Sequence, residues 1–355
     1  MLRSTRILIA AALVSAILLG GSLAVLSGQR QSTVDCLSIP TEHEVECYSQ
    51  LVLQAYRTGG LEAASEKMLA GSRGIGMDPY RFAARCHDIA HALGKSIDLD
   101  REVDLETRGP SLCRSGFFHG VHLQRFSVHP TAAALVAAAP FVCAGSEALV
   151  RVGRGGVGNG CRHALGHELY LRGLDHVAAA AACETPAVAT HNPESAVSDC
   201  LYGLYMEVFL RYESDSTYTD PRPICLDPVL TPVAAFACTG EAGLSLYRLS
   251  LDTDPRTAFA ICAEFATKLD AAVAGSCAGG LGRSAGAFLE NRRDLIESFC
   301  REAGSLYENC LIEAAAAIME AEQDYSWATV CTGLSLYQYC ESKMADIKNL
   351  VETRL

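Results

Sequence analysis

Six of the ten histidines fall in three short windows: Cys86-His87-Asp88-Ile89-Ala90-His91, Gly116-Phe117-Phe118-His119-Gly120-Val121-His122 and Cys161-Arg162-His163-Ala164-Leu165-Gly166-His167-Glu168. On a helix, the i,i+4 spacing of His87/His91 and His163/His167 and the i,i+3 spacing of His119/His122 bring both imidazoles of a pair to one face. Two side chains so placed can share a metal ion, and three pairs on neighbouring helices supply enough nitrogen for a mononuclear or dinuclear centre. An imidazole and carboxylate set suits a divalent transition metal, with zinc, copper and iron as the candidates. Asp88, Glu168 and Glu207 are the candidate carboxylates, as ligands or as partners that hold a ring tautomer; Asp88 and Glu168 are also the candidate catalytic acid–base groups. The competing reading is that these histidines hydrogen-bond within packed helix starts. His43, His129, His176 and His191 stand outside the windows and read as ordinary hydrogen-bonded or solvent-facing groups.

The stretch His87-Asp88-Ile89-Ala90-His91-Ala92-Leu93-Gly94 resembles the zinc-metallopeptidase helix, HExxH followed by x-x-Gly, with Asp in place of Glu. The resemblance implies His87 and His91 as zinc ligands and Asp88 as general base on a zinc-bound water. The chain departs from that pattern: the Asp side chain is one methylene shorter, and Ile97 stands where a third ligand would fall, with Glu102 and Glu106 as the acidic residues downstream. The His87-Asp88 dipeptide is similar to that of HD-type phosphohydrolases, but the further spaced His and Asp of those domains have no counterpart. Ser115 and Ser284 do not sit in a G-x-S-x-G elbow.

The elements that must position these side chains are punctuated by cysteine. The chain of 355 residues has 16 cysteines, all downstream of residue 30 and none in a C-x-x-C pair, so disulfides are expected rather than a dithiol redox centre or a thiolate zinc site. Arg3 and Arg6 precede an apolar run from Ile7 to about Leu26, the layout of a secretory signal peptide or N-terminal membrane anchor over residues 1–30. Together these features predict an extracytoplasmic protein: periplasmic, cell-surface or secreted. No later stretch is apolar enough to cross a bilayer, so membrane contact is expected only through that segment. With 41 acidic against 29 basic residues, a net charge of −12 and no basic cluster, nucleic acid is excluded as a partner. A protein or peptide partner remains open.

From Cys113 onward, long and short gaps between cysteines alternate, which marks a repeat. Each unit opens on Cys-x-x-small, continues into a helical stretch, breaks at helix-start chemistry such as Asp175 or Asp254-Pro255, and closes with a second helix ending on the next cysteine. The predicted fold is all-α: a disulfide-stapled, solenoid-like array of helical hairpins. Nearest-neighbour pairing across the short gaps gives Cys183–Cys200, Cys225–Cys238 and Cys262–Cys277. Three parts follow: residues 1–30; a His-bearing helical region with the metal site, 31–200; and C-terminal helical-hairpin repeats, 201–355. The Gly-rich stretch 151–160 reads as a flexible connection. Function divides between an extracytoplasmic metal-dependent hydrolase or oxidoreductase and a non-catalytic scaffold similar to Sel1/TPR-like secreted proteins, binding proteins or peptides in the cell envelope. The absence of histidine past Cys200 favours the second for the C-terminal units.

Overall fold

In the computed structural model, the structure describes residues 36, 43–69, 79–99, 113, 116–145, 155–189, 193–214, 220–289 and 292–322. The expected leader, together with Cys331 and Cys340, lies outside them. Among the described residues every regular element is helical and none is a strand, as the Ala-rich runs and scarcity of β-signals predict. No helix among them is long and apolar enough to cross a membrane.

The helices are α1 (Glu44–Leu69), α2 (Pro79–Ser96), α3 (Gly116–Ser127), α4 (Ala132–Val142), α5 (Gly155–Leu171), α6 (His176–Cys183) and α7 (Pro193–Ser214). They continue as α8 (Arg222–Cys225), α9 (Pro232–Asp252), α10 (Pro255–Lys268), α11 (Ala271–Phe288), α12 (Arg293–Arg301) and α13 (Tyr307–Glu322). The breaks carry the expected caps. Asp175 accepts a hydrogen bond from the Ala178 amide and Asp254 from the Arg256 amide, with Pro255 at the first helical position. Thr131, Thr231 and Asp270 cap α4, α9 and α11 in the same way.

Long helices pack in chain order, α2 on α3, α3 on α5, α5 on α7, α7 on α9, α9 on α11 and α11 on α13, while the short helices lie against the long ones. Helix α2 also meets α11 and α13, so the row turns back toward its start. Six disulfides tie it together: Cys86–Cys113, Cys143–Cys161, Cys183–Cys200, Cys225–Cys238, Cys262–Cys277 and Cys300–Cys310. The three pairs expected from gap alternation are among them, and Cys36 and Cys47 are also disulfide-bonded. This density of disulfides points to an oxidising, extracytoplasmic compartment.

Two details differ from the sequence reading. The cysteines that were to open helices stand inside them, Cys161 within α5, Cys200 within α7 and Cys277 within α11, so each of these bonds pins a short helix to the flank of the next long one. The stretch 151–160 is also not wholly a connection, because α5 begins at Gly155. Gly160, buried against His119 of α3, shows packing outweighing the low helix propensity of glycine.

Glycines set how closely the long helices cross. A Cβ at Gly94 would lie 2.1 Å from the Phe117 carbonyl oxygen, and one at Gly120 2.3 Å from the His91 oxygen. A Cβ at Gly166 would lie 1.9 Å from the Cys200 oxygen, and one at Gly203 1.9 Å from the His163 oxygen. The α2–α3 and α5–α7 crossings are therefore backbone-to-backbone contacts that no other residue permits, and both occur within a turn of a histidine pair.

Candidate metal centre

Helix α2 carries His87 and His91, α3 carries His119, and α5 carries His163 and His167. Within α2 the rings of His87 and His91 lie 4.6 Å apart, and within α5 those of His163 and His167 lie 4.9 Å apart, as i,i+4 spacing requires. The crossings join the pairs. His119 lies 4.9 Å from His87, 5.3 Å from His91 and 4.3 Å from His163, and His91 lies 5.5 Å from His167. Five of the six predicted histidines thus form one cluster. His122, a turn beyond His119, is fully buried on the same helix, and the sequence pairing of His119 with His122 is replaced by contacts of His119 across helices.

His87, His91 and His119 each present one ligand atom within 4.8 Å of the others, a group that could hold a metal ion. The protonation pattern is set by surrounding acceptors. His87 Nδ1 lies 3.0 Å from the Cys113 carbonyl oxygen, which can only accept, so Nδ1 carries the proton and Nε2 presents its lone pair. That Nε2 faces His119 Nδ1 at 3.4 Å. Two nitrogens sharing one tetrahedral ion at about 2.0–2.1 Å sit about 3.3 Å apart, so this spacing matches co-ligation. His91 Nε2 is buried without a hydrogen-bond partner. Burial, and after it the neighbouring imidazoles, holds His91 and His119 well below the ordinary histidine range. Both rings are therefore neutral at neutral pH, the form that binds metal.

Backbone features hold these rings in place. Cys113 adopts φ 58°, a left-handed conformation rare for a side-chain-bearing residue. The Cys86–Cys113 disulfide holds it beside α2, with its carbonyl aimed at His87. A Cβ at Gly160 would come within 2.8 Å of His119 Cδ2, so the glycine lets the first turns of α5 lie on that ring.

On the α5 side, His167 Nδ1 lies 3.0 Å from Glu207 Oε2 of α7, and the ring is 1 % exposed. The carboxylate accepts a hydrogen bond from Nδ1–H and leaves the buried Nε2 available, the arrangement by which carboxylates orient metal-binding imidazoles. Of the three candidate carboxylates, Glu207 makes this contact, from the neighbouring helix. Glu168 instead pairs at 3.0 Å with Arg172, the residue just past the end of α5; burial raises its carboxyl above the usual range, against the lowering effect of Arg172. Asp88 is half-buried on α2 next to His87. His176 lies apart, 3.8 Å from Asp227.

What the sequence reading missed is the glycines, Gly94, Gly116, Gly120, Gly160, Gly166 and Gly203. Their signal was present as a glycine within three residues of each clustered histidine or at the matching place on the facing helix. Comparison of the chain with protein-family models, with curated proteins and with solved structures finds no match.

Proposed function

We propose that the chain is an extracytoplasmic metalloprotein that holds a divalent transition metal on His87, His91 and His119 and acts as a metal-dependent hydrolase. The observation that carries this reading is the 3.4 Å approach of His87 Nε2 to His119 Nδ1, with the His91 ring against both. Neutral nitrogens brought face to face in a buried place gain from a cation between them. Three protein ligands leave a coordination position open, as in catalytic rather than structural zinc sites, and a water there has a lowered pKa. Asp88, beside His87 on α2, and Glu168, on α5 next to His167, are the carboxylates from which a general base would be drawn. Copper or iron in the same nitrogens would direct the site to oxidative chemistry.

The test is elemental analysis of protein purified without a polyhistidine tag. About one ion per chain supports the reading, and less than about 0.2 ion per chain after incubation with zinc, copper or iron and desalting refutes it.

A second reading, a scaffold for proteins or peptides in a solenoid-like C-terminal region, rests on a cavity of about 300 Å³ among α7, α9, α11 and α13, lined by Tyr202, Phe236, Glu241 and Arg283 among others. It concerns residues 201–355 and coexists with a metal centre in residues 31–200. A cleaved or retained N-terminal segment decides between release and anchoring.

A further inference from the structure

The first ion position uses three of the five clustered imidazoles and leaves His163 and His167. An imidazole binds a metal in its own ring plane, along the nitrogen lone pair, with the ion about 3 Å from the ring centre. His119 and His163 are stacked, with centroids 4.3 Å apart and planes inclined by 19°. Ring planes about 3.5 Å apart and inclined that little meet only about 10 Å away, so the two rings cannot both direct a lone pair at one ion. His119 is already turned to His87. His163 therefore belongs to a different position.

That position has its own built features. His163 and His167 repeat the i,i+4 geometry of His87 and His91, with ring centroids 4.9 Å against 4.6 Å and tilts of 59° against 43°. His167 is 1 % exposed, is hydrogen-bonded through Nδ1 to Glu207, and has a buried Nε2 with no hydrogen-bond partner. An imidazole held by a carboxylate, its other nitrogen buried and unsatisfied, costs stability unless that nitrogen finds a partner. A cation shared by His163 and His167 is such a partner.

We propose that His163 and His167 form a second, separate position for a divalent transition-metal ion of the zinc type, with Glu207 as the residue that positions His167. The cluster is then a two-ion centre. The second ion has only two protein nitrogens and takes its remaining ligands from water or from an oxygen-donor substrate. This inference rests on the proposed metal-binding reading, and the experiment separates the two.

Metal-free full-length protein is titrated with zinc, the stoichiometry read by calorimetry and by elemental analysis after desalting, and the fold of each variant checked by circular dichroism without metal. The expected result is two equivalents for the wild-type chain, one for His167→Gln and one for His87→Gln. Glu207→Gln, which keeps the shape and removes the charge, is expected to retain both equivalents with the second weakened about 10–100-fold. Should His167→Gln fail to fold, the Glu207→Gln result stands in its place. One equivalent in the wild-type chain, unaffected by His167→Gln or abolished by both His87→Gln and His167→Gln, overturns the second position and leaves the metal-binding reading standing. Two wild-type equivalents both kept with full affinity in His167→Gln or Glu207→Gln also overturn it. No zinc bound in the wild-type chain overturns both.

Discussion

Gly94→Ala tests whether the helix crossing sets the metal geometry. A Cβ at Gly94 would stand 2.1 Å from the Phe117 carbonyl oxygen, 2.8 Å from the Val121 amide nitrogen and 2.9 Å from the Gly120 Cα. Ordinary non-bonded carbon contacts need about 3.5 Å, so α2 and α3 must part by about 1 Å or more. All three atoms are backbone, so no side chain can swing aside. Two opposing effects follow. Replacing a helical glycine by alanine gains about 1 kcal/mol in helix propensity; forcing packed backbones apart costs about 1–3 kcal/mol, occasionally more. The overlap is deep, so the clash is expected to win, with a net loss of about 1–2 kcal/mol and a fall in Tm of about 2–4 °C for each kcal/mol. The same parting moves His87 Nε2, now 3.4 Å from His119 Nδ1, to about 4.4 Å. That is more than an ion with metal–nitrogen distances held within about 0.2 Å can bridge, so zinc affinity should fall at least tenfold. Gly145, with nothing within 4 Å of an added Cβ, is the control: Gly145→Ala should leave affinity unchanged and stability equal or slightly higher. Calorimetric zinc titration and thermal melts of both variants read the outcome. Unchanged affinity and Tm in Gly94→Ala would refute the argument that the crossing positions the ligands.

The staples and a buried carboxyl give two further expectations. Replacing Cys183 and Cys200 together by serine removes a bond that closes 17 residues of sequence, and should lower stability by about 3 kcal/mol; a reductant should lower the wild-type Tm while moving the variant less, and equal sensitivity would contradict the assignment. Asp199 is pushed up to about 7 by burial, against the lowering effects of its hydrogen bond with Ser195 and the nearby Arg162 charge. The folded chain then keeps a proton that the unfolded chain loses, so this group's contribution to stability declines as pH rises from about 4 to about 7 and is level beyond both ends. Asp199→Asn should flatten that slope in chemical denaturation series at pH 5 and pH 8, and an unchanged slope would assign it to other groups.

Much of the architecture was readable because it is written in local spacing. Capping residues such as Asp175 and Asp254, alternating cysteine gaps, and the i,i+4 pairs His87/His91 and His163/His167 each depend on residues near one another in the chain, and the caps, the three disulfides and the close approach of those rings are found in the structure. What spacing did not show is which helices face each other. The i,i+3 rule paired His119 with His122, whereas helix packing paired it with His87 and His163. Glu168, beside His167 in the chain, pairs with Arg172, and the carboxylate that orients His167 comes from α7. Glycine content made 151–160 read as a connection, although part of it is the helix start that covers His119.

The cysteines supply a register that organises these misses. Counting from the cysteine that precedes α3 or lies within α5, α7, α9 and α11, the sixth residue is His119 after Cys113, His167 after Cys161, Met206 after Cys200 and Arg283 after Cys277; the second is His163 after Cys161, Tyr202 after Cys200, Gly240 after Cys238 and Gly279 after Cys277. Among the N-terminal helices these positions hold clustered imidazoles. Among the C-terminal helices Tyr202, Gly240, Gly279 and Arg283 line the cavity of about 300 Å³. The same places on successive helices thus line first a nitrogen-rich cluster and then a cavity with aromatic, carboxylate and guanidinium groups. Glu207, seven residues after Cys200 as Glu168 is after Cys161, lies where the two meet. A change that removes the Glu207 carboxylate without moving the α7 backbone should therefore act first on His167, because their hydrogen bond is a side-chain tie from α7 to the cluster, whereas His163 meets α7 through its backbone at Gly203.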